Sequence, residues 1–137
     1  MARTLDLARL GKAERILAVL FAFGAILGFL LTPLGFDTRS NELRTLAWAA
    51  FFIVVGLLVP IAGLILIFWK PRLAALLAIV EAALMFLVAP ADQALFFFTV
   101  APPVAVTVGE FILIFVAIGY LIYGIRIYDK YQPARTG

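Results

Sequence analysis

The sequence predicts an all-α integral membrane protein, a bundle of four transmembrane helices with both termini in the cytoplasm. Three observations carry this reading. First, 66% of the 137 residues are hydrophobic and 14% are charged, where a soluble domain has about 45–50% and about 25%. With a mean hydropathy of +1.15, the chain is too small to hide so much apolar side chain from water, and it is too apolar to be disordered. Second, the apolar residues gather into four long runs. Third, the basic residues fall on alternate connections between those runs.

About 20 mostly apolar residues are needed to cross roughly 30 Å of hydrocarbon, and only a helix can satisfy its own backbone there. The first predicted span covers 16–32, bounded by Arg15 and by Thr32-Pro33. A signal peptide is the rival for this segment, but no small-residue cleavage pattern follows the run, so an uncleaved span is expected. The second covers 46–69, with Ser40 as a candidate N-cap ahead of it. Its Trp48 and Trp69 stand 21 residues apart, roughly 31 Å along a helix, which matches two aromatic belts. Pro60, near its middle, removes one backbone bond and is expected to kink it. The third covers 73–89 behind Pro71, a residue suited to a first helical turn. The fourth covers 103–125 and ends among Tyr120, Tyr123 and Arg126, where Tyr120 and Tyr123 read as interface anchors. The connection Lys70-Pro71-Arg72 is so short that spans two and three must form a hairpin.

Charge sets the expected orientation. Arg3, Arg9, Lys12 and Arg15 precede the first span, Lys70 and Arg72 join the second to the third, and Arg126, Lys130 and Arg135 follow the fourth. Only Arg39 and Arg44 lie on the opposite side, offset by Asp37 and Glu42. The positive-inside rule then puts both ends in the cytoplasm, in a prokaryotic cytoplasmic membrane. The net charge of +3 and pI near 9.6 are thus a topology signal, and no nucleic-acid partner is expected. The whole chain reads as one membrane domain, with 1–15 a basic arm able to lie on the lipid surface and 126–137 a cytoplasmic tail.

The chain has no Cys and no His, and only one Ser and one Asn, Ser40 and Asn41. Thiol redox chemistry, thiolate metal sites and His-ligated haem are excluded, and a buried Ser nucleophile is not expected. No catalytic residue, cofactor or metal site is expected.

Small residues mark the expected helix contacts, because they let backbones approach in lipid. They are Gly24 and Gly28 in the first span, Ala74, Ala78 and Ala82 in the third, and Ala105 and Gly109 in the fourth. Two carboxyls stand at membrane depth, Glu81 and Glu110, with Thr107 one turn before Glu110. No Lys, Arg or His lies inside a span to neutralise them, and an isolated carboxylate in hydrocarbon is expensive. They are expected within one or two turns of the same depth. There they serve as protonated interhelical hydrogen-bond donors, as a proton relay, or as contacts for a partner's cation. The Phe96, Phe97 and Phe98 run sits in the third connection and reads as an outer-interface anchor or a protein contact.

The functional expectation is a non-catalytic accessory or structural subunit of a larger membrane assembly, such as a respiratory or other energy-transducing complex. The alternative is a small homo-oligomeric proton-coupled transporter or channel that uses the membrane carboxyls. Expected partners are membrane lipid together with other membrane subunits or further copies of the chain.

Overall fold

The computed structural model describes residues 10–37, 50–95 and 101–131, without the side chains of 33–37. Every regular element among them is helical. Helix α1 is Lys12–Asp37, α2 is Ala50–Leu66, α3 is Pro71–Gln93 and α4 is Val104–Lys130. Three of these, α1, α3 and α4, are long and apolar enough to cross a membrane, and α2 is a shorter apolar helix. Trp48, the basic arm before Leu10 and the Phe96–Phe98 run lie outside the described residues.

The helices outrun the apolar windows that announce them. α1 continues past Pro33, α3 continues through Pro90 to Gln93, and α4 reaches Lys130. The end of the hydrocarbon does not end a helix. The headgroup region offers water to the last carbonyls, and a proline there forfeits only a bond that water can replace. α3 stops by a backbone device instead. Leu95 takes a left-handed conformation, φ 61°, and its N–H bonds the Asp92 carbonyl.

The α2–α3 hairpin is as tight as the sequence requires. The backbone N–H groups of Trp69 and Lys70 both return to the Leu66 carbonyl, and Pro71 opens α3 in its first turn. Around the bundle, α1 packs on α2 and α4, and α3 packs on α2 and α4. Successive helices are therefore antiparallel neighbours in a four-membered ring, as short connections dictate.

The core follows a three-and-four spacing on each helix. Glu14, Leu17, Phe21 and Gly24 are buried on α1, and Val106, Gly109, Val116, Tyr120, Gly124 and Ile127 on α4. Ala74, Ala78 and Ala82 of α3 are fully buried against the α4 seam. The outer surface is the inverse of a soluble protein. Val19, Phe23, Phe29, Leu87, Val108, Phe111 and Phe115 are exposed while Glu14, Glu81 and Asp92 are buried. Such a surface suits lipid and not water.

The structure corrects two residues of the fourth helix. Ala105 is exposed, and its neighbour Val106 faces the core in its place. The α4 seam advances by three and four residues, so a strict four-residue step from Gly109 back to Ala105 drifts off it. Tyr120 is no interface anchor. It is fully buried, and its hydroxyl donates to the Leu20 carbonyl of α1 at 3.1 Å. Tyr123 and Trp69 keep partly exposed positions near the ends of their helices, with the Arg126 guanidinium 5.7 Å from the Tyr123 ring.

Pro60 is buried, and α2 answers it with more than a simple kink. A π-helical turn, Val54–Leu58, stands directly ahead of it, with the Val59 N–H bonding the Val54 carbonyl. Proline supplies no N–H to the Gly56 carbonyl and its ring crowds that oxygen, and a widened turn relieves both. Gly56 then faces Gly28 of α1, whose missing side chain leaves room for the Gly56 carbonyl.

Candidate functional site: a buried carboxyl beneath a polar-mouthed cavity

Glu81 lies in the middle of α3, between Ala78 and Ala82, with no exposed surface. Neither of its carboxyl oxygens has a hydrogen-bond partner among the described residues. The Ala residues on its face bring α3 against α4, which places Tyr120 near enough to interact with it electrostatically. The Tyr120 hydroxyl is directed to the Leu20 carbonyl, and its ring stacks on Phe21 at 5.2 Å between centroids. Gly24 gives that hydroxyl its space, since a methyl on Gly24 would collide with the Tyr120 oxygen. Position, burial and small neighbours thus combine to hold one bare carboxyl inside the bundle.

A cavity of about 90 Å³ opens between all four helices toward the end where α3 finishes and α4 begins. Its walls are apolar, with Phe52, Val55 and Gly56 coming from α2, and its polar groups are Thr32, Asp92 and Glu110. The π turn of α2 therefore forms part of the wall. Met85 lines the cavity one turn from Glu81 on the same helix face. The space is large enough to hold water.

A second polar group caps the same end. The Gln93 side-chain amide donates to Glu110 at 2.6 Å and to the Thr107 hydroxyl at 3.2 Å. Glu110 and Thr107 are thus brought together, while Glu81 stands apart from both. Arg72–Tyr128 at one end and Gln93–Thr107 at the other set the antiparallel register of α3 and α4. In that register Glu110 is level with Pro90, nine residues from Glu81 or about 14 Å. This exceeds the one or two turns expected from the sequence, because α3 runs on through Pro90 and lifts the meeting point of the helices. Asp92 and Gln93 fall in the connection after the third apolar run, and the longer helix buries Asp92 and sets the exposed Gln93 against Thr107 and Glu110.

The opposite end carries the basic residues. Glu14, nearly fully buried in the first turn of α1, accepts from Lys130 at 2.7 Å and from the Tyr131 hydroxyl at 3.0 Å. Burial and the Glu14 carboxylate beside it push the Tyr131 phenol above its ordinary value. The start of α1 and the end of α4 are therefore clasped together. Lone charges so far apart in sequence carry no local signal of this pairing.

No group of three or more Asp or Glu able to hold a metal ion occurs among the described residues. Comparison with protein-family models, with curated proteins and with solved structures gives no match.

Proposed function

We propose that this chain is a small four-span membrane protein that takes up and releases protons at Glu81, working as a homo-oligomeric proton-coupled transporter or channel. One observation carries the reading. Glu81 is a fully buried carboxyl without a hydrogen-bond partner among the described residues, one helical turn beyond a cavity whose polar lining is Thr32, Asp92 and Glu110. An ionised carboxylate left so bare costs several kcal/mol, so a packed bundle accommodates the neutral acid. Water reaching Glu81 lowers that cost and lets the proton leave. Met85 is the flexible side chain between cavity and carboxyl, and an unbranched thioether can move aside at little expense. Four helices enclose too narrow a space for a larger substrate, so a wider pathway lies between copies of the chain.

The orientation follows the same reading. Lys12, Arg15, Lys70, Arg72, Arg126 and Lys130 belong to the end of the bundle clasped by Glu14. The positive-inside rule makes that end cytoplasmic, with both termini inside and the cavity opening outward.

The test is proton flux in vesicles containing the purified chain. Glu81→Gln keeps the shape and removes the titrating group, so flux is expected to fall to that of empty vesicles while the variant still inserts. Flux equal to the unsubstituted chain would overturn the proposal.

A second reading is a non-catalytic subunit of a larger membrane assembly, such as an energy-transducing complex. What favours it is the small cavity beside a broad apolar outer face, with Phe111 and Phe115 more than half exposed. Extraction in mild detergent followed by native mass spectrometry separates the two. Stoichiometric foreign subunits support the assembly, and a homogeneous oligomer of this chain supports the transporter.

A further inference from the structure

At the basic end of the bundle, an open groove of about 440 Å³ lies between the α2–α3 hairpin and the last turn of α4. Lys70, Arg72, Leu73, Leu76 and Tyr128 line it, and none of these is acidic. Arg72 is held in place. Its guanidinium donates to the Tyr128 hydroxyl at 3.1 Å and stacks on that ring at 4.6 Å from the centroid, while its Nε has no hydrogen-bond partner among the described residues. Lys70 is exposed beside it, at the residue just before α3. The first turn of α3 has no side-chain cap among the described residues, so its N–H groups and the positive end of its dipole add to the two cations. Immediately along the helix, Leu73 and Leu76 are exposed and apolar.

We propose that this groove binds one anionic glycerophospholipid. Its phosphodiester meets Lys70, Arg72 and the start of α3, and an acyl chain follows Leu73 and Leu76. Two features select lipid over a free anion. The cationic groups sit at the end of a membrane-length helix, where headgroups lie, and the groove continues onto an apolar strip that an inorganic anion cannot use. Charge complementarity selects an anionic over a zwitterionic headgroup. The inference rests on the membrane reading of the chain and is independent of proton handling at Glu81.

The full chain, stripped of lipid in detergent, is offered phosphatidylglycerol, phosphatidylcholine or inorganic phosphate, and bound adducts and melting are followed by native mass spectrometry and thermal denaturation. One phosphatidylglycerol is expected to stay bound and raise the melting temperature, with phosphatidylcholine and phosphate much weaker. Removing both cations with Lys70→Gln and Arg72→Gln is expected to weaken that lipid about thirtyfold, the effect of two basic contacts at a membrane surface. Arg126→Gln, which removes a charge at the same end but outside the groove, is expected to leave it unchanged. Equal protection by phosphate would make this a plain anion site and overturn the proposal. So would equal retention of phosphatidylcholine by the unsubstituted chain, or an equal loss in Arg126→Gln. The comparison of lipids on the unsubstituted chain decides the matter even where the double variant does not fold.

Discussion

At the scale of single residues, this protein is organised by absences of side chain. Gly28 admits the Gly56 carbonyl, Gly24 admits the Tyr120 hydroxyl and Gly63 admits the Phe21 ring. The three are not equivalent. A ring or hydroxyl can shift, but a backbone carbonyl cannot. Gly28→Leu is therefore expected to cost at least about 3 kcal/mol, the upper end of overpacking penalties. Phe29→Leu, one residue away on the exposed face, is expected to stay within about 0.5 kcal/mol. Melting of the two variants in one detergent checks this, and equal melting would remove the close approach of α1 and α2. Glu81 belongs to the same scale. Its neighbours are small because α3 and α4 press together there, and that closeness is what dries the carboxyl. The Gln substitution removes a proton site without disturbing this packing.

At the scale of elements, α2 stands apart from the other three helices. It is short, it holds a π turn, and that turn supplies Val55 and Gly56 to the cavity wall. Pro60→Ala restores the missing N–H and removes the ring that crowds the Gly56 carbonyl, so the helix can return to regular α geometry. The variant is expected to be at least as stable as the parent, with Val55 and Gly56 shifted and proton flux reduced. Amide hydrogen exchange across Val54–Leu58 reports the backbone change, and vesicle flux reports its consequence. A regularised helix with unchanged flux would separate the π turn from function. The ends of α3 show a different balance. Its start combines Pro71 with an uncapped first turn, and its finish depends on a left-handed Leu95 in place of the usual glycine.

At the scale of the whole molecule, the charge distribution and the Glu14–Lys130 clasp make one statement. The start of the first helix and the end of the last lie at the same end of the bundle, as an even number of antiparallel helices requires. The absence of native cysteine makes this directly testable. Single cysteines at Lys12 and Asp129 are expected to react with an impermeant thiol reagent from the cytoplasmic side. A cysteine at Leu95 is expected to react from the outside. Labelling of Lys12 and Asp129 positions from opposite sides would break the four-span topology. The second whole-molecule expectation concerns association. Native mass spectrometry decides between a homo-oligomer and a mixed assembly, and a strict monomer would count against both functional readings.

Much of the architecture is legible in the sequence because its causes are local and one-dimensional. Hydrophobic run length sets the helices, the Lys70–Arg72 connection sets a hairpin, and the count of basic residues sets an orientation to be tested. Composition alone also removes thiol and His-based chemistry. Tertiary structure decides what depends on helix rotation and axial register, which run length does not encode. It sends Tyr120 inward and Ala105 outward, because the α4 seam advances by three and four residues. It separates Glu81 from Glu110, because helix growth continues past the apolar window and through Pro90. It brings Asp92 and Glu110 to one cavity, bonds Gln93 to Glu110 and Thr107, and draws Glu14 to Lys130, since such pairs meet only when antiparallel helices find their register. Apolar run length alone announces a helical membrane protein with a lone carboxyl in its third span. The packing of α3 on α4 decided that this carboxyl is buried, without a hydrogen-bond partner among the described residues, and one turn from a cavity.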